Sequence, residues 1–378
     1  MRTRAAVLEE FGTPLRVREV EIAAPGPGEV RVRIAAAGIC GSDLKAVAGT
    51  SPVVTRLPVV CGHESAGTVE SVGAGVERVS PGDRVVIAMN RPCGACRMCG
   101  RGDAHLCTDP ARLRAIAGLM PDGGTRLTAG GTPLRPYLGI GAFADHAVVG
   151  ERALVPLPPD IPLDAAALLS CAVVTGVGAV LNTARVRPGA TVLVAGCGGV
   201  GLAIVQGAVL AGAARVIAAD VAEAKLAAAA RFGATDTVVS GPDLAERVRA
   251  LAAGGVDDAF DATGVPGVLA AAFEATRPGG TTVLVGSPPP GAAASVPAAA
   301  LFASRRLMGC QGGDAAPAHD LPRLADLYRA GLLDVDGLIS ERIPLESVNE
   351  GIARVREGAV ARSVVVLDPM NARRPSDC

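Results

Sequence analysis

The stretch ATVLVAGCGGVGLAIVQGAVLAGAARVIAAD, residues 190–220, constrains the fold of this chain more than any other. An apolar run, VLVA, meets the glycine turn GCGGVG; a helix-like run follows, and a second apolar run ends on Asp220. That order predicts strand, turn, helix and strand, the opening unit of a doubly wound dinucleotide-binding domain. Gly196 permits the tight turn, Gly198 lets the backbone approach a pyrophosphate, and Gly201 lets the helix pack on the strand; Gly199 belongs to the same loop. The free N–H groups of the helix N-terminus favour the phosphates. Asp220 stands where a carboxylate accepts hydrogen bonds from the adenosine ribose and repels a 2′-phosphate. Val221 and Ala222 follow it where an NADP site would show an Arg, so NAD is the expected cofactor. The competing reading is a glycine-rich turn in an α/β protein that binds no nucleotide.

A second run, CGACRMCGRGDAHLC, places Cys93, Cys96, Cys99 and Cys107 close enough in sequence to fold around one tetrahedral ion. Four thiolates favour a closed structural zinc site. A looser set of donors lies outside it: Cys40 in GICGSD, His63 in CGHES and Cys171 in LLSCAVVTG. Their separations do not group them. Taken singly, each cysteine reads more readily as a small buried apolar residue and the histidine more readily as a structural one than as a zinc ligand.

At 378 residues the chain is too long for one ordinary core. Before Pro156 the pattern is short strands between Gly/Pro turns (VRVRIAAAG, SAGTVESVG, GDRVVIAM), which predicts an all-β, partly open barrel-like module. Beyond PLPPDIPLD, strands alternate with helices, which predicts a parallel sheet. VAEAKLAAAARFGA reads as a helix with Gly233 near its end, and DDAFDATG, VLAAAFEATRPGG and TTVLVGSPP repeat the strand–helix–strand scheme. After about Gln311 two helical segments and the strand SVVVLD are expected to rejoin the first module. The charge is balanced, with 36 Lys+Arg against 37 Asp+Glu, and the aromatics are six Phe and two Tyr. Nucleic acid is therefore not an expected partner. The uncharged stretch 191–214 is long enough to raise a membrane span, but its six glycines and Gln206 break it into strand, turn and helix. A cytoplasmic protein follows, in which ten cysteines serve metal sites and packing rather than disulfides.

With GICGSD, LPVVCGHESAGTVESVG, PGDRVV, CGACRMCGRGDAHLC, GLMPDGGTRLT, CAVVTGVGA and VLVAGCGGVGLA in this order, the chain resembles the zinc-dependent medium-chain alcohol dehydrogenases over nearly its whole length. LMPDG is similar to the branch that includes the glutathione-dependent formaldehyde dehydrogenases. The resemblance implies a GroES-like catalytic domain over residues 1–172, completed by 312–378, and a Rossmann coenzyme domain over 173–311. It implies two zinc ions per chain, one structural and one catalytic, the latter held by Cys40, His63 and Cys171. Asp43 would orient the zinc-bound imidazole, Glu64 would stand beside the ligands, and Ser42 would take the alcohol proton. Thr175, Val200, Lys225 and Val285 would contact NAD. Met89, Tyr137 and Ser287 would line a mostly apolar pocket. The implied reaction is hydride transfer between an alcohol and NAD, in a homodimer or homotetramer.

The chain departs from the family at several positions. Lys45 stands where many relatives end the proton relay in a His, and Gly41 where many carry a cation for the pyrophosphate. Ala111 replaces the Arg of the glutathione-specific enzymes, and GTSPVVTRLP lacks their acidic residue, which argues against glutathione adducts. Lys45 motivates one alternative, a reductase of an activated C=C or iminium bond. A second is a non-catalytic NAD-binding protein with structural zinc only. Cys61, Cys197, Cys310 and Cys378 are left over, and Cys61 reads as packing or as a neighbour of the zinc ligands.

Overall fold

The computed structural model describes residues 1–54 and 56–368, and it divides the chain into two compact units. The first comprises Met1–Cys171, Ala316–Gly331 and the chain from Val335 onward; the second comprises Ala172–Ala315 and Leu332–Asp334. Cys378 lies outside the described residues.

In the first unit the strands Arg2–Leu8, Arg16–Ile22, Leu127–Ala129, Thr132–Pro136 and Val59–Val60 follow one another around a closed barrel. Arg2–Leu8 pairs on both sides, with Arg16–Ile22 and with Val59–Val60, so this part closes where the turn pattern predicts only a partly open barrel. Closure removes two strand edges that would otherwise expose unpaired backbone. A separate sheet is built around Glu29–Gly38, which is antiparallel to both Glu64–Val72 and Ser363–Val366. Val30, Val32 and Ile34 alternate inward; from Ile34 to Gly38 every residue is buried, because here both faces are covered. The C-terminal strand sets Val364 opposite Gly38, which brings Arg362 beside the chain leading into Cys40.

The second unit is a six-stranded parallel sheet in the order Asp236–Val239, Arg215–Asp220, Thr191–Ala195, Val256–Asp261, Thr276–Leu284 and Arg306–Gly309. Val192 to Ala195 are fully buried, the continuous apolar run expected of a central parallel strand. The sheet grows one way from Thr191–Ala195 and then, after Asp236–Val239, crosses to its other side. That strand is thus the topological switch point, and the glycine loop follows at its carboxyl end. A Cβ on Gly201 would sit 1.7 Å from the Gly196 carbonyl oxygen, so helix Gly199–Leu210 approaches the turn only with glycine there.

Segment 191–214 resolves into strand, turn and helix. A different segment, Leu163–Ala184, forms a 22-residue helical run apolar enough by length and composition to cross a bilayer, but its apolar window is wholly buried within the protein. It includes π-type turns at Leu169–Val173 and Ala179–Ala184. The sequence pattern did not register helix Leu244–Leu251 or the edge strand Arg306–Gly309, whose four residues are all exposed.

Candidate active site

Cys40, His63 and Cys171 meet in the first unit, and all three are buried. Cys40 is the N-cap of helix Gly41–Val47, and Asp43 in the first turn of that helix ties the ligand-bearing segments together. Its carboxylate accepts the backbone N–H groups of Cys40 at 3.0 Å and Gly62 at 3.1 Å. Asp43 Oδ1 also lies 3.2 Å from His63 Nδ1, the geometry for an N–H donated to a carboxylate. That bond leaves the Nε2 lone pair available to a metal ion. The glycine of CGHES is required. Gly62 has φ +90°, and a Cβ there would stand 2.5 Å from the Phe143 backbone nitrogen.

The donor spacing fits zinc. Cys40 Sγ and Cys171 Sγ are 3.9 Å apart, and Cys171 Sγ is 3.4 Å from His63 Nε2. With Zn–S near 2.3 Å and Zn–N near 2.1 Å, the edges of a tetrahedral site are about 3.8 Å and about 3.6 Å. The Cys171 hydrogen bond, and after it the Arg362 charge, hold the Cys40 thiol well below its ordinary value against the cost of burial. A thiolate is the form that binds metal.

Arg362 is the residue that sequence reasoning missed. Only 4% exposed, it donates to the Ile39 carbonyl at 3.4 Å, reaches Cys40 Sγ at 3.9 Å, and places Nε 3.5 Å from Glu64 Oε1. Neither oxygen of the fully buried Glu64 carboxylate has a hydrogen-bond partner among the described residues. Burial raises Glu64 to about 7, opposed chiefly by Arg362. No local signal in ARSVVVLD marks Arg362, because only the antiparallel return of the tail carries it here.

Ser42 Oγ lies 3.1 Å from His63 Nε2. Lys45, one turn along the same helix, is partly buried, and burial lowers its pKa. Tyr137 stands with its ring edge-on to His63 at 5.5 Å, and its hydroxyl donates to the Ser42 carbonyl at 3.1 Å. Met89 is half-buried in the same unit, whereas Ser287 belongs to the second unit. Cys61 is fully buried in the hydrophobic core.

The four cysteines of the loop also converge. Sulfur–sulfur distances are 3.9 Å for Cys93–Cys99, 3.5 Å for Cys96–Cys99 and 3.8 Å for Cys96–Cys107, again the edges of a zinc tetrahedron. Backbone N–H groups of Ala95 and Cys96 point at Cys93 Sγ, and that of Cys93 points at Cys107 Sγ.

In the second unit the Asp220 carboxylate accepts the Cys197 N–H at 2.8 Å and the Ala222 N–H at 3.0 Å, so it pins the glycine turn to the end of the next strand. Gly198 caps helix Gly199–Leu210, whose first turn holds Val200 and Gly201. Lys225 lies on helix Glu223–Arg231, Val285 directly follows Thr276–Leu284, and Thr175 is buried in the run Leu163–Ala184. Cys197, in the glycine turn, is buried and pushed up to about 12, as an inert packing thiol would be.

Clustered thiol and imidazole donors in a β-rich unit, with a doubly wound dinucleotide fold in the same chain, define the class of zinc-binding dehydrogenases. Residues 26–159 match the alcohol dehydrogenase GroES-like domain, and residues 199–330 match the zinc-binding dehydrogenase family. The chain is 38% identical to alcohol dehydrogenase class-3 of Myxine glutinosa, over 96% of this chain and 97% of that one. It is 38% identical to an NDMA-dependent alcohol dehydrogenase of Amycolatopsis methanolica, over 97% and 99% of the two chains. The crystal structure of benzyl alcohol dehydrogenase from Acinetobacter calcoaceticus superposes with a TM-score of 0.89 at 27% identity, covering 97% of this chain and 99% of that one. The chain belongs to the zinc-dependent medium-chain alcohol dehydrogenase family, with its GroES-like and Rossmann domains. It is an oxidoreductase of alcohols and aldehydes or ketones.

Proposed function

We propose that the chain oxidises a small, mostly apolar alcohol with NAD, using one catalytic zinc at Cys40, His63 and Cys171 and one structural zinc at Cys93, Cys96, Cys99 and Cys107. The observation that carries this reading is the convergence of Cys40, His63 and Cys171 at tetrahedral-edge distances, with Asp43 on the far side of the imidazole. When bound, zinc supplies Lewis acidity to the alcohol oxygen, and the nicotinamide supplies a hydride acceptor.

The chain's own residues then have separate tasks. Asp43 fixes the His63 ring and tautomer through Nδ1. The Ser42 hydroxyl, beside Nε2, takes the proton of the alcohol. Tyr137 holds the Ser42 carbonyl, and with it the start of the helix, in place. Glu64 adds a buried carboxylate that balances Arg362 close to the thiolates. Lys45 is the terminal proton acceptor in place of histidine, because burial lowers its pKa and so favours the neutral amine that can accept a proton. In the second unit Gly196, Gly198, Gly199, Val200 and Gly201 receive the pyrophosphate, and Asp220 with Lys225 faces the adenosine ribose. Thr175 and Val285 border the nicotinamide. Nine described cysteines, all free thiols, suit the reducing cytoplasm.

An alcohol panel assayed by NADH absorbance tests the function, with NADP and NDMA offered as alternative acceptors. NAD is expected to support turnover well above NADP. Preference for NADP would refute the assignment of Asp220. No NADH from any alcohol, with NADH consumed by an enal or an iminium, would replace this reading by the reductase of activated double bonds.

Lys45 makes a separate prediction. In the oxidative direction kcat/KM should rise as pH passes through the depressed pKa of Lys45, since only the neutral amine accepts a proton. Lys45→Ala should flatten that limb and slow the reaction at neutral pH by roughly tenfold or more. A pH–rate profile unchanged by the substitution removes Lys45 from the relay.

A further inference from the structure

A cavity of about 650 Å³ opens in the second unit at the amino ends of its parallel strands. Dinucleotides bind at the carboxyl ends of such sheets, and neither the glycine loop nor Asp220 lines this cavity. Asp257 and Asp258 come from the start of Val256–Asp261, Arg277 from the start of Thr276–Leu284, and Arg306 opens Arg306–Gly309. Arg185 and Arg187 reach it from the turn before Thr191–Ala195. Four guanidinium groups thus meet two carboxylates.

The carboxylates do not balance the arginines. Asp257 is already engaged: it accepts Arg277 Nε at 2.6 Å and the Thr191 N–H at 2.8 Å. Asp258 is 8% exposed; burial and then Asp257 raise it to about 6, opposed first by Arg306. Arg185 and Arg306 donate only to neutral carbonyls, those of Asn182 at 3.4 Å and Gly279 at 3.3 Å. Among the described residues Arg187 has no hydrogen bond or ion pair through its side chain. Arg185 also holds φ +55° at the end of the turn Ala179–Ala184, where glycine would be free of strain. A concave surface with excess positive charge concentrates anions, and guanidinium forks match phosphoryl oxygens. Among the described residues no aromatic or branched aliphatic side chain lines the cavity, so it offers neither a platform for a base nor a bed for an acyl tail.

We propose that this cavity binds a compact phosphate-bearing polyanion on Arg185, Arg187 and Arg306, apart from the dinucleotide. Calorimetric titration with trimetaphosphate, a small trivalent ring that chelates zinc weakly, tests it. The protein is zinc-loaded and saturated with its dinucleotide, so that the cofactor's own phosphate site is filled. One trimetaphosphate per chain is expected to bind, with Arg187→Gln/Arg306→Gln weakening it at least about tenfold. Asp258→Asn removes the opposing carboxylate and should tighten binding about threefold or more. Arg2→Gln, the same loss of charge in the first unit, should leave it unchanged. Equal weakening by Arg2→Gln and the paired substitution would reduce the effect to net charge and overturn the proposal. So would sulfate displacing trimetaphosphate at equal ionic strength, or binding that disappears once the dinucleotide is present.

Discussion

His63→Ala is expected to lower kcat/KM for alcohol oxidation by roughly a thousandfold or more while the protein stays folded and keeps one zinc per chain. The imidazole is one of three donors in its cluster among the described residues, and its partner Asp43 is fully buried. Without the ring, Asp43 still accepts the Cys40 and Gly62 N–H groups, so the local backbone retains its tie. The measurement is metal content beside steady-state kinetics. A variant that keeps two zinc ions per chain and near-parental turnover would sink the assignment of the catalytic centre. One zinc in the parent protein as well would favour the non-catalytic reading.

Cys107→Ser is expected to act in the opposite manner, on stability before activity. The loop 93–107 contains one four-residue helix and a single 3₁₀ turn, too little structure of its own to hold four thiols at these distances. Metal-binding free energy there is folding free energy. Cys107 is also the buried member of the set, and Arg112 donates to its carbonyl. Its loss should lower Tm by about 10 °C or more, corresponding to about 3–5 kcal/mol in a protein of this size. The zinc remaining should be the one on Cys40, His63 and Cys171. Calorimetry with zinc analysis distinguishes the outcomes; an unchanged Tm and two retained ions would remove the structural role.

The features legible in the sequence are those whose parts are neighbours along the chain. The glycine turn, its flanking strand and helix, and Asp220 lie within about thirty residues, and each is selected by local backbone geometry or by burial on both faces. The four cysteines likewise fall within one short loop, and their spacing alone suggests a shared ion. The change from β-rich to alternating α/β organisation could be read for the same reason, since side-chain periodicity and turn residues act over a few positions. Closure of the barrel could not, because it depends on Arg2–Leu8 finding Val59–Val60, a pairing that no local pattern encodes.

The active site divides along the same line. Sequence determined which residue types were available to it: thiols, an imidazole, a hydroxyl beside Cys40, and a lysine one turn on. Tertiary structure decided which of them act together. Cys40, His63 and Cys171 become one cluster because Asp43 binds the first two segments and because a buried helical run delivers the third. Arg362 joins them across more than three hundred residues only through the pairing of Ser363–Val366 with Glu29–Gly38. Burial then gives these groups their chemistry. Removed from water, Glu64 is raised and Cys40 is lowered by a neighbouring thiol and an arginine, effects that exist only once the chain has closed around them.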